Sequence, residues 1–404
     1  MTTETSAERE ALPQPFDTAC LKDPYPLYAR LRAEHPVHRI ALPDGSPVWL
    51  VTREADVRAG LADPRLSVNK DDSGEGYKGF SLPPALDANL LNIDPDHHLR
   101  LRRLISKGFT PRSVEALRER VRATADRLAD GLAQRIEKDG SADIVADYSL
   151  PLPLAVIGDL LGVPEADRRP FADRTAEMFT PEHPRQIPEA VDFLHRYLID
   201  LVALRRAEPD GNLLSELIAV RDDGDRLSED ELVSLAFLIL LGGSENAQHL
   251  ISAGLLTLFE HPEQLEALRA DPGLLPGAVE EIHRFAMPQQ MAIRRFPLET
   301  MDVGGVDIPS GDTVLLCLAS ANRDPDRYPD PDRFDIRRED TGHLSLGHGI
   351  HYCLGAPLAR MEIGIALDTL LRRFPDLALA GPADELPWRT SFRSRALVSL
   401  PVKA

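Results

Sequence analysis

Gly347-His348-Gly349-Ile350-His351-Tyr352-Cys353-Leu354-Gly355-Ala356-Pro357-Leu358-Ala359-Arg360 places one thiol between glycines, just ahead of a helical run. A helix N-terminus lowers a thiol's pKa, and backbone N–H groups freed by glycine point at the sulfur. Glycines such as Gly347 and Gly355 also let a large flat cofactor approach the backbone closely. His351, two residues before Cys353, is placed to donate a hydrogen bond to a cofactor carboxylate. A thiolate that ligates haem iron needs these features. A loop cysteine without a role has the same local sequence, so the rest of the chain must decide.

The chain has 404 residues, 43% hydrophobic and 27% charged, which suits a globular protein with a large core. No apolar run has the length of a membrane span, and residues 1–13 are polar without an apolar signal region. A free cytoplasmic protein is expected, with 1–13 a disordered tail and 14–404 a single domain. Cys20, Cys317 and Cys353 are far apart and odd in number, so neither a disulfide framework nor a zinc knuckle is readable. The net charge of −19 argues against nucleic acid as the main partner. Residues 97–120 oppose that sign with Arg100, Arg102, Arg103, Lys107, Arg112, Arg118 and Arg120. Such a run is either a solvated helix face or an anchor and docking patch for anionic groups.

Helical periodicity covers most of the chain, at 27–34, 55–62, 98–109, 113–138, 153–161, 188–206, 213–220, 228–260, 262–270 and 276–285. Strand signals are fewer. Residues 37–40 and 48–52 flank Pro43-Asp44-Gly45-Ser46 and read as a hairpin; 292–296, 303–308 and 313–318 are the others. The fold expected is mainly α with small β-sheets. Residues 70–91 and 180–186 lack periodicity, as lids and binding loops do.

Ser228-Glu229-Asp230-Glu231 is a capping box opening a helix that runs to Glu260, roughly 48 Å long. Its apolar run ends in Gly242-Gly243-Ser244-Glu245-Asn246. Each glycine inside a helix costs about 1 kcal/mol relative to alanine. Close helix packing is one reason for the pair. A widened groove that admits a small ligand, with Glu245 handling protons, is the other. Glu281 and Arg284 lie three apart on one helix face and suit an ion pair, with Arg333 available to complete a buried charge network.

Taken together, these motifs resemble the cytochrome P-450 family of haem-thiolate monooxygenases, over nearly the whole chain. The closest likeness is to soluble bacterial members that tailor polyketides and other secondary metabolites. The resemblance implies one large α-rich domain enclosing haem b, with Cys353 as the iron ligand. It implies that His98, Arg102, Arg295 and His351 hold the haem propionates, with His97 a spare. Glu281-x-x-Arg284 matches the family's Glu-x-x-Arg motif and Arg333 its meander arginine. The rest of the basic segment becomes a docking face for a ferredoxin-type electron donor, which works with its reductase. O2 and two electrons would hydroxylate or epoxidise an apolar small molecule, a polyketide- or macrolide-like scaffold.

The long helix matches the family's distal helix, with Glu245 and Asn246 at its catalytic positions. The family usually has a threonine where Asn246 stands, which steadies bound oxygen and its water. An amide donates and accepts but relays a proton less easily than a hydroxyl. Asn246 positions water itself, or a substrate hydroxyl replaces the alcohol, or the reaction is atypical, such as oxidative coupling of an aromatic or peptide-derived substrate. Leu346 stands where the family usually has phenylalanine beside the thiolate. Leu238, Leu241, Gly242, Met291, Ala292, Ile293 and Phe392 are expected to line the substrate pocket, under lids formed by 70–91 and 177–189.

Overall fold

The computed structural model describes residues 16, 18–74, 82–93, 95–179, 181, 183, 185–222 and 227–404. The expected tail 1–13 and parts of both expected lids lie outside the described residues.

The long helix Glu229–Glu260 begins where the sequence places it. Ser228 accepts from the Glu231 N–H at 3.1 Å, and the Glu231 carboxylate accepts from the Ser228 N–H at 2.8 Å. Most of its residues are buried, because it runs through the larger of two hydrophobic cores. It packs against the helices Pro151–Leu161 and Ala356–Arg373. Its glycines divide the two roles considered. A Cβ on Gly243 would meet Ile157 Cδ1 at 2.5 Å, so Gly243 permits close helix packing. A Cβ on Gly242 would meet nothing within 4 Å. The backbone itself is not widened: the helix is continuous from Glu229 to Glu260.

A smaller core lies under the N-terminal hairpin. Strands Val37–Ala41 and Pro47–Val51 pair antiparallel with Val37 opposite Val51, and Val314–Leu316 joins parallel beside Trp49–Val51. This joins the first and last thirds of the chain. Of the expected strand 292–296 only the end forms, where Phe296 opens a short strand with Pro297 that pairs antiparallel with Leu66–Ser67. Just before it Arg295 makes a single bridge, with Arg295 N–H and Val314 N–H each bonded to the other's carbonyl at 2.9 Å. Residues 303–308 form a tight hairpin rather than one strand, because Gly304 and Gly305 take φ of 60° and 85°. Sequence periodicity misses the helix Glu165–Phe179, where Pro170 reads as a breaker but sits within it. No single described helix is long and apolar enough to cross a membrane.

The buried pair Glu281–Arg284 fixes the segment leading to the thiol. Arg284 donates to both Glu281 oxygens, at 2.8 and 2.7 Å, and to the carbonyls of Asn322 and Pro331 at 2.8 Å. The expected third member is corrected. Arg333 contributes only its carbonyl, at 3.2 Å from Arg284, while its side chain is 63% exposed and pairs with Asp335. Arg338 takes the place instead, with Nε 3.3 Å from Glu281 and a nearly buried side chain. The chain turns at Arg333 so that the backbone faces inward.

Candidate functional site

The thiol loop is shaped by two left-handed glycines, Gly347 at φ 74° and Gly349 at φ 71°. At such angles a side chain is strained, and at Gly349 a Cβ would also press on the Leu61 carbonyl at 3.0 Å. The loop curls so that Cys353 N–H donates to the Leu346 carbonyl at 2.8 Å. Gly355 then caps the helix Ala356–Arg373, with proline in its first turn.

The thiol itself departs from expectation. Burial raises its pKa, and this outweighs the Gly355 N–H, Arg102 and Arg360, which all pull it down. A helix start alone does not ionise it; a cation at the sulfur would, because a coordinating thiol is deprotonated outright. Cys317 offers no rival, since it is fully buried and burial pushes it up to about 12. Cys20 is buried too.

A cavity of about 360 Å³ opens above Cys353. On its walls stand His98, Arg102, Arg295, His351, Gly347 and Gly355, as the sequence predicts. Leu238, Gly242 and Asn246 enter from the long helix, and Met291, Ala292 and Ile293 from the bridged segment. Three expected residues do not line it. Leu241 sits off the helix face shared by Leu238, Gly242 and Asn246 and packs against the larger core. Phe392 belongs to the smaller core, its ring 5.3 Å from that of Phe16. Glu245 turns aside from the cavity toward Arg389, whose Nη1 is 3.3 Å from its carboxylate.

The walls fit haem b. His98 is wholly buried with its ring 4.4 Å from that of His351. Burial, then Arg295, then His98 push the His351 pKa down to about 3. Four basic side chains thus crowd one side of a buried space. Among the described lining residues the sole acid is Glu362, which burial alone holds well above the usual carboxylate range. Such a cluster is costly unless an anion joins it, and two propionates answer that need. Arg102 also donates to the Tyr352 carbonyl at 2.6 Å, tying the basic helix Pro95–Ile105 to the thiol loop. His97 faces out, away from these walls, 2.9 Å from Glu231, which Arg100 also engages.

Sequence reasoning missed Glu362, Gln289 and His283 on these walls. The first was within reach: Gly355, Leu358, Ala359 and Glu362 follow helical spacing from the thiol.

Behind the loop, the rings of His283 and His343 stack at 5.3 Å, and Glu280 takes Arg360 at 2.6 Å and His343 at 3.3 Å. Burial raises the Glu280 pKa, but the hydrogen bonds from His343 and Arg360 win and hold it at about 2. Burial, with repulsion from His343, pushes His283 from 6.5 to about 4. Both folded-state values lie below the unfolded ones, so acidification weakens the fold: His283 must take up a charge that its buried site resists, and Glu280 gives up the charge that its partners favour. Thermal midpoints are expected to fall as pH drops from 6.5 toward 4, first through His283 and then, below 4.5, through Glu280. His283→Leu should flatten the upper part of this curve in a melting series; an unchanged slope would remove His283 as its source.

A half-buried thiol under an apolar slot, with basic groups at one edge and a helix that leaves room at Gly242 across the top, is the arrangement of a haem-thiolate protein. Comparison with known proteins agrees. The family model "Cytochrome P450" matches residues 273–386. The chain is 47% identical to the cytochrome P450 monooxygenase PikC of Streptomyces venezuelae, across 94% of this chain and 91% of that one. It is 42% identical to the 6-deoxyerythronolide B hydroxylase of Saccharopolyspora erythraea, across 94% and 96%. The tirandamycin C-bound P450 monooxygenase TamI superposes with a TM-score of 0.90 at 40% identity, covering 97% of this chain and 100% of that chain. The chain belongs to the cytochrome P450 family; it is a monooxygenase and its cofactor is haem b.

Proposed function

We propose that this monooxygenase hydroxylates or epoxidises an apolar, polyketide- or macrolide-like scaffold, with Cys353 as the proximal thiolate. The observation that carries the reading is the convergence on one cavity of Cys353, the basic cluster and the Gly242–Asn246 face of the long helix. Bound haem supplies oxygen activation; the chain supplies placement and dryness. His98, Arg102, Arg295 and His351 would hold the propionates. Leu238, Met291, Ala292 and Ile293 would present an apolar wall to substrate, and Gly242 would leave room for it. The names of PikC and 6-deoxyerythronolide B hydroxylase support a macrolide-like scaffold.

A ferredoxin-type donor, served by its reductase, suits the face below the thiol. Arg103, Lys107 and Arg112 make no ion pair with a described residue, and nearby in sequence Leu99 of the basic helix and Ile350 and Tyr352 of the thiol loop are exposed large hydrophobics. A cytoplasmic setting is part of this reading. The test is a haem spectral-shift screen with macrolide aglycones, followed by product mass. Tight binding and the gain of one oxygen atom are expected. A product formed without added oxygen would favour coupling chemistry instead.

Asn246 lines the cavity where a hydroxyl is usual. If the amide positions water well enough, Asn246→Thr changes coupling of NADPH oxidation to product by less than about threefold. If a substrate hydroxyl completes the relay, Asn246→Thr rescues coupling on a substrate analogue lacking that hydroxyl and not on the native one. Product yield per NADPH on the pair of substrates separates the two.

A further inference from the structure

Glu245 is held loosely. Its carboxylate takes one contact from Arg389 Nη1 at 3.3 Å, where charge-assisted bonds of this kind usually measure about 2.7–2.9 Å. One turn along the same helix face stands His249, with Nε2 3.8 Å from the same oxygen, Oε1. That is too long for a hydrogen bond and short enough for a small side-chain rotation to close. His249 is almost wholly buried, and neither ring nitrogen hydrogen-bonds to a described residue. A buried imidazole left in this state costs stability, because its ring nitrogens have given up water without a replacement. An apolar residue would fit the core of this helix better, so the imidazole calls for a purpose.

We propose that His249 is a positioning residue for Glu245: its ring offers the carboxylate a second N–H donor, so that the acid alternates between Arg389 and His249 instead of closing a bidentate pair with the arginine. This inference rests on the monooxygenase reading above and deepens it. Burial keeps the ring neutral by lowering its pKa, although Glu245 pulls the other way. A neutral ring donates without trapping the acid in a second ion pair. The main chain of Arg389 is anchored in the C-terminal turn, its N–H bonded to the Ala396 carbonyl at 2.8 Å, so only the side chain can follow when the acid moves. Asn246, the next residue, faces the cavity. A mobile acid beside it matters more here, because the amide relays protons less easily than a hydroxyl.

The experiment compares His249→Leu and His249→Gln with the wild-type holoenzyme. The Glu245 carboxylate bands are isolated by infrared difference against Glu245→Gln. In His249→Leu these bands are expected to narrow and shift as the acid settles on Arg389; His249→Gln, which keeps a donor at similar reach, should retain the wild-type profile. Product per NADPH should fall roughly tenfold in His249→Leu, less than the loss of at least about 100-fold that removing an acid–base group itself can bring. Product driven by hydrogen peroxide, which arrives carrying its own protons, should hardly change. Carboxylate bands identical in all three proteins, or a parallel loss in the peroxide-driven reaction, would overturn the proposal. If wild type oxygenated nothing with either oxidant, the monooxygenase reading would fail while the infrared comparison still judged His249.

Discussion

Cys353→Ser is expected to abolish the red-shifted carbon monoxide band of the reduced haem protein and to cut turnover by more than about 100-fold, beyond what loss of a group merely supporting a metal ligand costs. Serine keeps the size of the side chain and the Cys353 N–H bond to Leu346, so the loop should keep its path. What changes is the donor atom. A soft thiolate pushes electron density toward the iron, and a neutral hydroxyl does not. The environment sharpens the contrast: burial already resists ionisation of the thiol, with Gly355, Arg102 and Arg360 offsetting only part of that resistance. An alcohol, far weaker as an acid, has no route to an anion there. Cys317→Ser is the control. Cys317 lies in the smaller core and should alter stability but not the band. Retention of the band in Cys353→Ser would refute the ligand assignment, and its loss in Cys317→Ser alone would move the assignment.

The fold was legible wherever local chemistry and tertiary packing agree. Ser228 with Glu231, and the hairpin about Gly45, are decided within a few residues, and both stand where expected. The cavity rim was legible through the family resemblance, because His98, Arg102, Arg295 and His351 are matched motif by motif. What failed did so for directional reasons. Periodicity says that Leu241 is apolar and helical but not which arc of the helix meets the cavity. A motif says that an arginine stands near 333 but not that its carbonyl turns inward while Arg338 supplies the guanidinium. The spacing of Glu245 and His249, four apart on one helix, was legible, but the third member was not: Arg389 is far away in sequence, and proximity of that kind has no local signal.

Arg284→Met should be the most damaging change to the folded state, at about 3–5 kcal/mol, the range for leaving one member of a buried ion pair uncompensated. Met fills much of the space but donates nothing. Glu281 then keeps only Arg338 at 3.3 Å and the Asp335 N–H at 3.0 Å, and the carbonyls of Asn322 and Pro331 lose their donor. The damage should spread to the haem site along a short path. Asn322 accepts from the Leu344 N–H and donates to Ser345 Oγ, both at 2.8 Å, and Leu346 follows with the carbonyl that takes the Cys353 N–H. Weakened haem retention should therefore accompany the lower stability. Arg333→Ala should cost no more than about 0.5 kcal/mol, as surface changes usually do, because its contribution is a carbonyl that alanine retains. Urea unfolding of the three proteins with haem content measured in parallel makes the comparison. Equal losses in Arg284→Met and Arg333→Ala would mean that the exposed guanidinium does belong to the network. A large loss confined to Arg284→Met would assign the fixing of the thiol loop to one buried side chain and the backbone it gathers.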